Sequence, residues 1–152
     1  MISSLLRVCG LAALSLILAG GAAFADEPKV GDPAPDFTLK GSDGKTYSLA
    51  DFKGKQAVVI AWFPKAFTGG CTAECKSFRE NSALLKGTNV AYFTASTDDQ
   101  KTNADFAKSL DLDYPILCDP DRKVGMAYGV VAAPTGFAKR WTFYIDKDGV
   151  IR

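Results

Sequence analysis

The sequence predicts an α/β fold: a mixed central sheet, parallel at its centre, with flanking helices and an antiparallel β-hairpin added near the N-terminus. Two patterns carry that prediction. Apolar runs at residues 57–63, 89–96 and 141–145 alternate with helix-compatible segments, the order that βαβ crossovers produce. Asp-Gly pairs at Asp43-Gly44 and Asp148-Gly149 supply tight-turn chemistry on either side of that core. A third observation sets the scale: 152 residues, 47% apolar and 23% charged, suffice for one buried core and exclude a disordered or fibrous chain.

Residues 1–25 stand apart. Arg7 is followed by an apolar run over residues 11–18 and by small residues ending Ala23-Phe24-Ala25, the pattern of a secretory signal peptide cleaved before Asp26. The run is too short for a membrane span, which needs roughly 20 apolar residues. The mature domain, residues 26–152, is therefore expected to be exported, periplasmic or secreted, and free of the membrane. Cleavage removes Cys9 and, with Arg7, the surplus positive charge, leaving 17 acidic groups against as many basic ones. Without a basic block there is no electrostatic reason to expect nucleic acid as a partner.

Residues 26–35 are polar, carry three prolines and read as an exposed lead-in. Residues 37–39 and 46–49 are short extended runs joined by Ser42-Asp43-Gly44-Lys45, hence the hairpin. Residues 57–63 lack polar alternation, as a strand covered on both faces does. Pro64 ends that strand, Gly69 and Gly70 free the backbone, and a helix is expected over residues 71–86 with Phe78, Leu84 and Leu85 facing the core. Residues 89–96 form a second buried strand, and Thr97-Asp98-Asp99-Gln100 reads as a capping box opening a helix that runs to about Leu110. Residues 115–118 are short and extended, residues 121–128 weakly helical, and residues 141–145 a third strong strand that turns through residues 146–149 into Val150 and Ile151. Because the chain stops at Arg152, two residues into a strand, a final strand and helix are expected to be missing from it.

The chain has no histidine, which excludes Ser-His-Asp and Cys-His catalysis and any metal site that needs imidazole. After cleavage three cysteines remain, Cys71, Cys75 and Cys118. An odd set does not suit a disulfide scaffold, and three thiols are one ligand short of a structural zinc site, so no metal or cofactor is expected. Cys71 falls on the first turn of a helix directly after a central strand, at the sheet end where α/β folds bind ligands. Unpaired backbone N–H groups and the positive end of the helix dipole favour a thiolate there, with a pKa below the free value of about 8.5. The alternative is a small apolar residue packed beside glycines. Cys118, which ends an apolar run before Asp119-Pro120, reads as core packing, and Glu74 and Arg79 as solvated helix residues.

The pattern Pro64-x-x-x-Thr68-x-x-Cys71 resembles the active-site motif of the peroxiredoxins, and the segments 30–39, 114–121 and 140–146 extend the resemblance over most of the mature length. The branch it looks most like is the peroxiredoxin Q, or bacterioferritin-comigratory, type. The resemblance implies a thioredoxin-like fold with an added N-terminal hairpin, and a thioredoxin-dependent peroxidase that reduces hydrogen peroxide and organic hydroperoxides. Carried over by position, Cys71 is the peroxidatic nucleophile, Thr68 hydrogen-bonds the peroxide, Pro64 shields the thiolate from bulk water and Arg140 completes the pocket. A guanidinium suits that place because charge moves from sulfur to the departing oxygen, and a fixed planar cation stabilises the shift. Trp62, Phe63 and Phe67 would wall the pocket, a plain core role being equally open to the first two.

The resemblance also implies a resolving cysteine, for which Cys75 is the candidate. It lies four positions after Cys71, where the commoner pattern has five, so a bridge requires local unwinding of the first helical turn, eased by Gly69 and Gly70. The alternative is that Cys75 only packs and an external thiol resolves Cys71. The reductant is expected to be a thioredoxin-like protein or a small thiol, and the chain a monomer or weak dimer. Two other readings compete. A thioredoxin-like thiol-disulfide oxidoreductase would share the fold but wants Cys-x-x-Cys, and Pro134-Thr135 sits too far from the following strand to be its active-site proline loop. A non-catalytic secreted module would hold Cys71 and Cys75 in a static bridge.

Overall fold

The computed structural model describes residues 27–152; the leader expected over residues 1–25, with Arg7 and Cys9, lies outside them. The described elements are β1 (Thr38–Gly41), β2 (Thr46–Ser48), α1 (Leu49–Phe52), β3 (Ala57–Trp62), α2 (Gly69–Glu80), α3 (Ser82–Lys86), β4 (Val90–Ser96), α4 (Gln100–Ser109), β5 (Ile116–Cys118), α5 (Lys123–Ala127) and β6 (Thr142–Ile145). The strands form one sheet in the order β2-β1-β5-β4-β3-β6. Its centre, β3-β4-β5, is parallel, while β6 runs antiparallel to β3 and β1 antiparallel to both β5 and β2. The mixed sheet and the N-terminal hairpin are thus as the sequence predicts. Gly44 takes φ +84 in the hairpin turn, a conformation open to glycine at no steric cost.

Successive strand residues point to opposite faces, and this divides the core in two. Val58, Ile60 and Trp62 of β3 join Phe93, Leu117, Tyr128, Phe143 and Ile145 in one cluster. Ile116, next to Leu117 on β5, belongs to the other, with Phe63, Ala66, Cys71, Cys75, Phe106 and Leu110. Ile60 is 1% exposed at the middle of the larger cluster. Ile60→Ala should therefore cost about 2–5 kcal/mol of unfolding free energy in a denaturant titration, whereas Leu84→Ala should leave the midpoint nearly unmoved.

That contrast rests on a correction. The helix expected over residues 71–86 begins at Gly69 and breaks at Asn81, whose side-chain Nδ2 donates to the Ser77 carbonyl at 2.8 Å and competes with the helix for that acceptor. Beyond the break Ser82 is the buried residue, its hydroxyl donating to Asp113 at 2.7 Å, and Leu84 is 73% exposed rather than core-facing. A second correction concerns α4. Its N-cap is Asp99, which accepts from the Thr102 amide at 2.7 Å, and no capping box starts at Thr97 because Ser96, Thr97 and Asp98 close the end of β4 instead. The lead-in is also less exposed than expected: Pro33 bridges Val150, and Ala34 is buried with its amide bonded to the Gly149 carbonyl at 2.9 Å. Residues at the sheet margin thereby find partners for otherwise open backbone groups. No helix among the described residues is long and apolar enough to cross a membrane.

Candidate active site

The site begins where β3 runs out. The Phe63 amide still pairs with the Ala95 carbonyl at 2.9 Å, but Pro64 has no N–H and a locked φ, so the strand cannot continue. The chain turns through Lys65, buried Ala66 and Phe67, whose φ of +60 is costly for a bulky side chain. The Phe67 ring lies 5.0 Å, centroid to centroid, from that of Phe106. Thr68 is the N-cap of α2, extended at φ −100, ψ 151, and its carbonyl accepts the first helical bond from Thr72 at 2.9 Å. The amides of Gly69, Gly70 and Cys71 precede that bond and have no acceptor within the helix.

Cys71 is the third helical residue and 1% exposed. Arg140 reaches it from the segment just before β6, which is pinned beside β3 by a 2.8 Å bond from the Trp62 amide to the Trp141 carbonyl. One guanidinium nitrogen, Nη2, lies 3.3 Å from the Cys71 sulfur, and the other, Nη1, pairs with the Glu74 carboxylate. A Cβ on Gly70 would come within 3.3 Å of Nη2, so glycine leaves the space the guanidinium occupies. Burial by itself pushes the Cys71 thiol up. Hydrogen bonding from the Thr68 hydroxyl, the Lys65 backbone and Arg140, together with the Arg140 charge, outweighs it and holds the pKa below the ordinary cysteine value. The Thr68 hydroxyl has one proton, directed here to the Lys65 carbonyl at 2.9 Å; rotation about Cβ–Oγ turns it to the sulfur or to an incoming oxygen.

The other thiols have the opposite fate. Cys75, one turn further along α2, is fully buried, and burial pushes its pKa up to about 11. Its carbonyl accepts from the buried Tyr114 hydroxyl at 2.9 Å. Cys118, on β5, is buried with its sulfur 3.4 Å from Asn103 Nδ2, and burial raises its pKa as well. All three are free thiols.

Thr68, Cys71 and Arg140 are therefore brought to one place, with Pro64 at the head of the loop that leads to Thr68 and Cys75 on the next helical turn. The expected aromatic wall is brought there only in part. Trp62 is fully buried in the cluster that does not hold Cys71, because it points from β3 to the opposite face; Phe63 shares the Cys71 cluster and Phe67 is 58% exposed. Pro134 and Thr135 are exposed. Two residues read as solvated have partners: Glu74 holds Arg140, and Arg79 Nη1 donates to the Leu110 carbonyl at 2.8 Å. The sequence did carry a signal for Glu74, since positions i and i+3 from Cys71 share a helix face.

Comparison with known proteins agrees with this fold. Residues 30–152 match the family model described as the AhpC/TSA family. The chain is 33% identical over 127 residues to peroxiredoxin Bcp of Bacillus subtilis, covering 80% of each protein. It is 37% identical over 123 residues to the chloroplastic peroxiredoxin Q of Populus jackii, covering 80% of this chain and 57% of the relative. Among solved structures, peroxidoxin BcpB from Mycobacterium tuberculosis superposes with a TM-score of 0.75 at 32% identity, over 82% of each chain.

Proposed function

The chain belongs to the AhpC/TSA family and is a thiol-dependent peroxidase, and from that premise we propose that Cys71 is its peroxidatic nucleophile, served by Thr68, Pro64 and Arg140 and resolved by Cys75. One observation carries the reading: of the three described thiols, Cys71 alone is held below the ordinary pKa, with a guanidinium 3.3 Å from its sulfur. Thiolate is the reactive form. A sulfur lone pair attacks the nearer peroxide oxygen, the O–O bond breaks, and the departing oxygen leaves as hydroxide or alkoxide and takes a proton. Sulfur is oxidised by two electrons to the sulfenic acid, and the peroxide is reduced to water or an alcohol.

The residues divide this work. Arg140 and the free amides at the start of α2 face the charge that moves onto the leaving oxygen, and preorganised donors of this kind lower the barrier. The Thr68 hydroxyl holds the peroxide in line. Pro64, half-buried and without an N–H, keeps solvent from the sulfur on the strand side. The Cys75 thiol then attacks the sulfenic sulfur, a disulfide forms and water leaves; an external dithiol of thioredoxin type, or a small thiol, restores both thiols. Export, and a monomeric or weakly dimeric state, belong to the same proposal.

Resolution needs a conformational change, because Cys75 is buried, protonated at neutral pH and tied by its carbonyl to Tyr114. Mass spectrometry after one equivalent of hydrogen peroxide tests it. The wild-type protein should lose two hydrogens through a Cys71–Cys75 bridge, and Cys75→Ser should instead retain one oxygen on Cys71. A stable oxygen adduct in the wild type, or a bridge to Cys118, would exclude Cys75 as the resolving residue.

A further inference from the structure

The loop between β3 and α2 carries the Lys65 backbone and the Thr68 hydroxyl to the Cys71 sulfur, and it is held by little. Among the described residues, once the Phe63 amide has paired with Ala95, the loop's main chain makes one hydrogen bond outside the β3 and α2 that it joins: the Ala66 amide donates to the Asp98 carboxylate at 2.8 Å. Asp98 lies just past the end of β4, half-buried, and the chemistry described so far does not use it.

Its carboxylate is itself held from behind. The hydroxyl of Ser96, fully buried, receives the Asp98 amide at 3.2 Å and Asn103 Nδ2 at 3.0 Å. Its one proton has two acceptors in reach, the Asp98 carboxylate and Asn103 Oδ1, each 3.1 Å away, and the charged carboxylate is the stronger of them. Asn103, also fully buried, further donates to the Asp98 carbonyl at 3.3 Å. A rigid strand end and a helix thus aim one carboxylate oxygen at one loop amide. The loop needs such an anchor because its next residue, Phe67, sits at φ +60, a conformation that persists only where the surroundings over-determine it.

We propose that Asp98 is a positioning residue for the peroxidase reaction: by accepting from the Ala66 amide it fixes the loop that presents Lys65 and Thr68 to Cys71. The proposal rests on the reading of Cys71 as the nucleophile. It acts through geometry rather than charge: the charged and titratable groups beside the sulfur are Arg140, itself paired with Glu74, and Cys75, while the Asp98 carboxylate is turned to the Ala66 amide.

The test compares Asp98→Ala with Asp98→Asn, which keeps an oxygen acceptor and loses the charge. Three readouts are needed: the second-order rate with hydrogen peroxide, the pH profile of Cys71 alkylation by iodoacetamide, and the thermal midpoint. In Asp98→Ala the peroxide rate should fall by about tenfold to 100-fold, the scale of a remote misplacement of reacting groups, and the alkylation midpoint should move up. A peroxide defect should persist at pH values where alkylation has reached its wild-type plateau. Asp98→Asn should restore both rate and profile to within about threefold of wild type, about 0.65 kcal/mol. Wild-type behaviour of Asp98→Ala, or an Asn variant as impaired as the Ala one, would overturn the proposal. If Asp98→Ala does not fold, Ser96→Ala, which frees the carboxylate to rotate, should show the same changes on a smaller scale, and an unchanged rate there would overturn it. Slow reaction of the wild-type protein with peroxide would instead sink the assignment of Cys71, before Asp98 is in question.

Discussion

Cys71→Ser should abolish rapid consumption of hydrogen peroxide while leaving the protein folded. The substitution exchanges one buried atom, and Arg140 remains beside the new hydroxyl. A serine hydroxyl stays protonated at neutral pH and has no base here to activate it, because the chain has no histidine. Removing a catalytic nucleophile costs up to roughly 10⁶-fold in other enzymes, so stopped-flow traces with peroxide should fall to the uncatalysed rate. Cys118→Ser is the control: its sulfur is buried and protonated, and its loss should leave the peroxide rate at wild type. A Cys71→Ser protein that still consumed peroxide rapidly would remove the basis of the proposed mechanism.

The second large effect is expected at Arg140. Arg140→Met keeps an unbranched stem and removes both the contact to sulfur and the partner of Glu74. Two consequences follow in the same direction. The departing oxygen loses its cation, at a cost of about 10²- to 10³-fold in rate for one preorganised donor. The thiol loses a hydrogen bond and a positive charge that hold its pKa down, and a carboxylate is left unpaired nearby. The sign is therefore fixed: thiolate population rises with pH through a midpoint that lies below the ordinary cysteine value in the wild type, and that midpoint should move up in Arg140→Met. Alkylation rate against pH reads the shift directly. Arg140→Lys should recover charge but not rate, since one ammonium cannot replace a planar fork that holds Glu74 and the sulfur together. A midpoint that stayed in place in Arg140→Met would mean that the helix start and Thr68 alone hold the thiolate.

Much of this was legible in the chain before any coordinates. The run at residues 57–63 had to be a covered strand because nothing in it tolerates water, and Pro64 had to end it. Two glycines before Cys71 marked the tight entry to a helix, and the structure begins that helix at Gly69. What failed were inferences that treat a helix as uninterrupted or a side chain as local. Leu84 looked core-facing on a continuous helix, but the helix breaks at Asn81, whose side chain takes the Ser77 carbonyl, and Leu84 falls on the exposed side of α3. Trp62 looked like a neighbour of Cys71 because it is near in sequence, yet strand alternation sends it to the other face. Glu74 looked solvated because its partner is 66 residues away.

The chain by itself determined the strand and helix order, the hairpin and the position of Cys71 at a helix start, since these follow from backbone propensity, turn chemistry and apolar periodicity over a few residues. Only the tertiary structure decided what holds the Cys71 thiol apart from the other two. Cys71, Cys75 and Cys118 are all buried cysteines, and burial raises each of their pKa values. The difference comes from Arg140, delivered from 69 residues away to the Cys71 sulfur, and from the neighbouring loop of Lys65 and Thr68, which Asp98 anchors from 32 residues beyond Ala66. Electrostatic stabilisation of a thiolate depends on distances of a few ångströms, and those distances exist only once the sheet has assembled.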